Sequence, residues 1–300
     1  CITVLPMNFS YCVETVFRFI KAGARIIITD ASTVKNEFWE LCEKYKPTYF
    51  FAVPFVYENI FKLGIQDRLG QFKSMSVAGG KPSHSLIERL CDLSAKKDIE
   101  FFTEYGQTDS GGLLAINTLT KDGMCNVADD VGSPHPSCKL IIDDGEGHAV
   151  TECDVEGELV FSGPNVSMGY ANNYDDLNKP DEHMGTIRTG DVGVRRTDGT
   201  IHIVGRIKRF LKIYGKRYSL DYMETTMKTE LNQSDIVCVG RDDFLVVYCT
   251  EDETVKKIKN YLRNIYKLSV RNFSVRCIEA FPLRPNGKID YTTLTKMSNE

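Results

Sequence analysis

The residues from Arg188 to Glu224, RTGDVGVRRTDGTIHIVGRIKRFLKIYGKRYSLDYME, hold the densest set of groups that could do chemistry. Thr189-Gly190-Asp191 offers a carboxylate, Gly205-Arg206 a guanidinium, and Asp198-Gly199 marks a turn between two β-prone runs. A turn-borne carboxylate and a nearby guanidinium can grip the two ends of a polar ligand such as a ribose. An ordinary hairpin with a solvated basic edge has the same local sequence, and one motif does not separate the two.

Three further blocks carry reactive groups. Gly79-Gly80 follows a short apolar run, where glycines let a backbone approach a flat ligand at a strand end. Tyr105-Gly106-Gln107-Thr108-Asp109 follows another, and a simple turn capped by Asp109 is the bland alternative. Pro282-Leu-Arg-Pro-Asn-Gly-Lys288-Ile-Asp290 places one lysine after an Asn-Gly turn, where a solvated lysine is the alternative.

In this order the blocks resemble the adenylate-forming enzymes, the superfamily of acyl-CoA synthetases, non-ribosomal peptide synthetase adenylation domains and luciferases. The resemblance runs from residue 5 to residue 290. It implies that Asp191 and Arg206 hold the ribose of an adenylate, that Gly79 and Gly80 lie against adenine, and that Tyr105 stacks on it. Thr108 would meet phosphate and Asp109 would help hold Mg²⁺, although the family pattern has Glu at that position. Lys288 would stabilise the charge developing between carboxylate and α-phosphate, a preorganised electrostatic role. Lys208 takes the place of the hinge about which a lid domain rotates, and Gly215 that of the loop lining the pantetheine tunnel. Phe9 and Gly111 fall at the substrate pocket.

The implied activity is ATP-dependent conversion of a carboxylate to an acyl-adenylate, with transfer to the thiol of CoA or of phosphopantetheine on an acyl carrier protein. A remnant of the same fold that binds AMP or a partner without catalysis is the rival. Two departures bear on the choice. The family's Ser/Thr/Gly-rich phosphate loop is not among these residues, so the chain is expected to be the C-terminal portion of such an enzyme and incomplete as given. Amino-acid-activating members carry an Asp in the block matching Leu5 to Tyr11, and none is present there, which tilts the expectation towards a plain acyl carboxylate.

The elements that must position these groups read as α/β. Strand-like runs at residues 2–6, 25–29, 49–53, 75–78 and 100–104 alternate with helical spacing at 12–22, 34–45, from Pro54, and 83–95, which implies parallel βαβ units. Short β-prone runs separated by Gly, Asp and Pro follow. Three regions are therefore expected: an αβ subdomain at 1–125, remnant of a larger domain with a parallel sheet; a β-rich subdomain at 126–207; and a compact α+β lid at 208–300.

Composition narrows the function classes. A net charge of −4 provides no basic field for nucleic acid, and no apolar run approaches the roughly 20 residues of a membrane span. Ten cysteines without a Cys-x-x-Cys pair read as reduced thiols of a cytoplasmic protein rather than a disulfide frame.

Overall fold

The computed structural model describes residues 1–119, 130–284 and 288–298. The expected boundary at 125/126 and the Pro285-Asn286-Gly287 part of the terminal loop lie outside the described residues. Contacts divide the chain into two units, Cys1–Thr189 with Gly193–Ile203, and Gly190–Val192 with Val204–Glu300.

The first unit opens with helix α1 (Ser10–Lys21). Its buried stripe is Tyr11, Cys12, Thr15 and Val16, whereas Phe17 and Ile20, apolar at helical spacing, are exposed. Helix α2 (Asn36–Tyr45) buries Phe38, Trp39 and Cys42, and ends on Lys46 in the left-handed region. Strand β1 (Tyr49–Ala52), helix α3 (Pro54–Lys62), strand β2 (Ser74–Val77), helix α4 (His84–Lys97) and strand β3 (Glu100–Tyr105) continue the alternation. Proline starts α3, where no N–H is required, and Ser83 caps α4 by accepting from the Leu86 amide at 3.2 Å.

Strands β1, β2 and β3 pair in parallel, with Phe51 opposite Ser76 and Ser76 opposite Phe102. Strand β4 (Ala115–Leu119) adds antiparallel to β3. The sheet is thus parallel with one antiparallel edge. Phe50, Met75, Phe101 and Leu90 anchor the main core, while Tyr11, Cys12, Val16 and Phe51 form a second cluster beneath α1.

The strands expected at 2–6 and 25–29 do not form. A single parallel bridge joins Ile2 and Ile27, and beyond it the side chain of Thr3 exchanges hydrogen bonds with the Thr29 backbone at 2.9 and 3.0 Å. Pro6, which has no N–H, ends any ladder on that side.

Strands β5 (Lys139–Asp143), β6 (Glu156–Ser162), β7 (Thr186–Arg195) and β8 (Ile201–Arg206) form a sheet in that order. Its apolar core includes Ile142, Leu159, Phe161 and Ile187. The β7–β8 turn follows the Asp198-Gly199 signal, with Asp198 accepting from the Thr200 amide at 3.0 Å.

In the second unit, β9 (Phe210–Ile213) and β10 (Lys216–Ser219) make a hairpin followed by α5 (Leu220–Glu230). Strands β11 (Ile236–Arg241), β12 (Phe244–Cys249) and β13 (Phe273–Cys277) form a mixed sheet, with α6 (Asp252–Asn264) between the last two and α7 (Tyr291–Ser298) at the end. One cluster packs Met223, Met227, Ile258 and Leu262 against Cys238 and Val247; another sets Leu294 against Val237, Val246 and Tyr248.

Candidate functional site

In the second unit Asp191 is 3% exposed, and Arg206 Nε donates to its Oδ1 at 3.0 Å. The carboxylate lies on β7 and the guanidinium at the end of β8, so the hairpin itself fixes the pair. Arg206 keeps most of its side chain in solvent, 65% exposed, which leaves donors for a ligand while Nε orients Asp191. Lys288 feels this pair: burial first, and then the positive charge of Arg206, hold its ammonium pKa below the ordinary lysine value.

Lys208 is exposed on a short turn, Ile207–Arg209, between β8 and β9. Gly215 is the second residue of the β9–β10 turn, at φ 74° after Tyr214 at φ 52°. Two successive left-handed residues define the tight hairpin turn that favours glycine. This gives Gly215 a structural reason of its own, beside any role at a thiol tunnel.

In the first unit Tyr105, Thr108, Asp109 and Gly111 are brought together by one loop at the end of β3. The loop doubles back so closely that a Cβ on Gly106 would lie 1.7 Å from the Gly112 carbonyl oxygen. Glycine is therefore obligatory there. Thr108 Oγ1 donates to Ser10 Oγ at 3.1 Å, and Gln107 Nε2 to the Thr189 carbonyl at 2.8 Å. Asp109 accepts from the exposed Tyr170 hydroxyl at 2.5 Å, and its carbonyl accepts from the Ser167 amide at 2.8 Å. Gly79 and Gly80 follow β2, whose Val77 is opposite Thr103 of β3, so they lie at the same carboxyl edge of the sheet as Tyr105. Phe9 precedes α1 and packs against the apolar cluster of Tyr11, Cys12 and Phe51.

Beside this loop is a cavity of about 610 Å³. Gly111 lines it with Leu113, Leu114, Ile116, Phe161 and Asn165, and α1 contributes Glu14, Arg18 and Lys21. Its size falls within the range of small-molecule sites.

The sequence profile of AMP-binding enzymes matches residues 1–171. The chain belongs to the AMP-binding enzyme family. Among curated relatives, 4-coumarate-CoA ligase 1 of Narcissus pseudonarcissus is 27% identical over 306 residues, covering 95% of the chain and 54% of the relative. Oxalate–CoA ligase of Arabidopsis thaliana is 27% identical over 226 residues, covering 74% and 43%. Gramicidin S synthase 2 of Brevibacillus brevis is 24% identical over 315 residues, covering 97% of the chain and 7% of that much longer protein. The chain thus spans about half of the two ligases and far less of the synthase. In fold it is similar to o-succinylbenzoate CoA synthetase from Bacillus subtilis in complex with its acyl-adenylate intermediate, at TM-score 0.77 and 17% identity, covering 98% of this chain and 60% of that one.

Against the family pattern, reading the sequence for motifs overlooked a buried polar network in the first unit. Arg18 Nη2 donates to Glu104 Oε2 at 2.9 Å, and Arg18 Nε lies 2.6 Å from Glu14 Oε1. The Tyr49 hydroxyl is bonded to Glu104 Oε1 at 3.1 Å and to Ser76 Oγ at 2.7 Å, and Ser76 Oγ also meets the Tyr11 hydroxyl at 2.6 Å. Burial raises the Tyr11 and Tyr49 pKa values, keeping both phenols protonated. The four-residue spacing of Glu14 and Arg18 on one helix face was the only sequence signal, and a solvated surface pair has the same spacing.

Proposed function

We propose that the chain forms the adenylate-handling portion of an AMP-forming acid–thiol ligase. A substrate carboxylate oxygen bonds to the α-phosphorus of ATP, the bond from that phosphorus to the β-phosphate oxygen breaks, and pyrophosphate leaves. The thiol of CoA or of carrier-protein phosphopantetheine, losing its proton, then bonds to the acyl carbon, and AMP leaves with the electrons of the acyl–oxygen bond.

The observation that carries this reading is the Asp191–Arg206 pair of a buried carboxylate and an exposed guanidinium, within a family defined by AMP binding. Asp191 accepts hydrogen bonds from the ribose hydroxyls, and Arg206 contacts the same sugar. Tyr105 stacks on adenine with Gly79 and Gly80 beside it, and Thr108 donates to phosphate. Lys288 places positive charge where negative charge grows during adenylation. Lys208 serves as the hinge of the lid and Gly215 admits pantetheine. Phe9 and Gly111 belong to the acyl pocket.

The carboxylate of Asp109 suits Mg²⁺, a hard ion that takes one or two carboxylates and fills its remaining positions with phosphate and water oxygens. When bound, the ion neutralises charge on the phosphates. Asp109 reaches less far than Glu, and the Tyr170 hydroxyl fixes where its short arm points.

Calorimetry with AMP tests the ribose assignment. Asp191→Ala should weaken binding by ~1–3 kcal/mol, the scale of hydrogen bonds to charged groups. Unchanged affinity in a folded variant would remove Asp191 from the site. Carboxylate-dependent pyrophosphate exchange with fatty, aryl and amino acids, run on the full-length protein, tests the activity, and no exchange there with any acid would remove it.

A further inference from the structure

Gln107 fills the open position of the Tyr-Gly-x-Thr run, and both of its ends are tied. Its carbonyl anchors the loop, accepting from the Gly112 amide at 3.0 Å, the Ser110 amide at 3.2 Å and the Ser110 hydroxyl at 2.8 Å. From that base the side chain reaches a residue 82 positions away, where Nε2 donates to the Thr189 carbonyl at 2.8 Å. Thr189 is held from a second side as well. Its Oγ1 donates to the Leu159 carbonyl at 2.7 Å, and the preceding Arg188 bonds Glu158 at 2.6 Å and Asp143 at 2.7 Å. Strands β5 and β6 therefore fix β7 up to Thr189.

The next residue, Gly190, stands at φ 72° inside β7. A left-handed residue within a strand interrupts the ladder and re-aims the side chain that follows, here Asp191. Glycine also leaves that turn the most freedom to rotate. The Thr189 carbonyl belongs to the planar peptide group joining Thr189 to Gly190, so pinning its oxygen fixes the plane from which the chain turns. We propose that Gln107 is a positioning residue for the ribose grip, its amide holding this peptide so that Asp191 faces the sugar hydroxyls. This rests on the reading of Asp191 as the ribose carboxylate and adds the group that aims it. Gln107 acts through the backbone rather than on the nucleotide. A donor is needed at its tip, because the atom it meets is a carbonyl oxygen.

Paired nucleotides that differ only in the sugar hydroxyls test this: AMP against 2′,3′-dideoxy-AMP, bound by calorimetry to the full-length protein and its variants. The wild type should prefer AMP by about tenfold or more, the scale of hydrogen bonds to a charged group. Asp191→Ala should bring that ratio near one. Gln107→Met, similar in length but without a donor, should cut it to about threefold or less as the carboxylate loses its aim. A merely structural loosening of the loop would weaken both nucleotides alike and leave the ratio at its wild-type value, which overturns the proposal. If Gln107→Met does not fold, Gln107→Glu keeps the length, replaces the donor by an acceptor and takes the same test. A wild-type ratio near one removes Asp191 from the ribose and Gln107 with it. A high ratio that collapses in Asp191→Ala but persists in a folded Gln107 variant removes Gln107 alone.

Discussion

The Tyr170 hydroxyl donates to Asp109 Oδ2 at 2.5 Å across 61 positions of sequence. The bond raises the Tyr170 pKa, first because the proton is held by the carboxylate and then through lost hydration. Asp109→Asn should therefore lower the Tyr170 titration midpoint, followed by ultraviolet absorbance in a chain whose other tyrosines serve as reference. If Asp109 holds Mg²⁺, Tyr170→Phe should raise the Mg²⁺ concentration for half-maximal exchange by about tenfold, the lower end of what losing a ligand's orienting partner costs. An unshifted Mg²⁺ dependence would mean that Tyr170 does not orient Asp109 for the ion.

Glu14 predicts a pH dependence of stability. Its carboxyl is raised from 4.5 to about 7, chiefly by burial, with Glu104 adding to the rise and Arg18 opposing it. Between these values the folded chain binds more protons than the unfolded one. Its contribution to stability is therefore full below pH 4.5, falls as pH rises to about 7, and is level above. The gap corresponds to roughly 3 kcal/mol. Denaturant titrations from pH 4 to 8 should show this fall in the wild type, and Glu14→Gln should flatten it.

Lys288 and Arg206 offer a direct electrostatic test. Removing a neighbouring positive charge makes an ammonium easier to form, so Arg206→Met should raise the Lys288 pKa towards the ordinary lysine value. Carbon-detected NMR of the lysine side chain reads this without any activity. An unmoved Lys288 resonance would separate the two groups. In the intact protein, Lys288→Ala should slow adenylation by roughly 10²–10³, as when one preorganised donor is lost, and spare thioester formation from supplied acyl-adenylate.

Arg209 is a structural counterpart in the second unit. It bonds Asp221 at 2.6 Å, Glu224 at 2.5 Å and the Cys238 carbonyl at 3.0 Å, and stacks over the Tyr291 ring at 3.9 Å. Glu224 Oε1 in turn accepts from the Cys238 amide at 2.7 Å. Arg209→Met would leave a buried carboxylate uncompensated, at a cost of about 3–5 kcal/mol. Hydrogen exchange of the Cys238 amide should accelerate accordingly. Unchanged protection would show that the guanidinium is not what holds this corner.

Local sequence determined the elements whose reasons are local. The β-prone runs of β1, β2 and β3, the proline that opens α3, the serine that caps α4 and the Asp198-Gly199 turn each carry their cause within a few residues. The ordered motifs likewise disclosed the family, because Thr-Gly-Asp, Gly-Arg and Tyr-Gly-x-Thr keep both type and order, with Asp109 a shorter acid where the pattern has Glu. Tertiary structure decided what depends on distant partners. Ile2–Pro6 has strand-like residues, yet it finds only one bridge, to Ile27, and Pro6 has no N–H to extend it. Of the apolar helix stripe that holds Val16, Phe17 and Ile20, only Val16 is buried, and packing brought in Tyr11 and Thr15 instead. Above all, Glu14, Arg18, Tyr49, Ser76 and Glu104 are scattered through four elements and ordinary in each. Only the parallel register of the sheet and the seating of α1 against it gather them into one buried network, and no local pattern can encode a charge balance made across such separations.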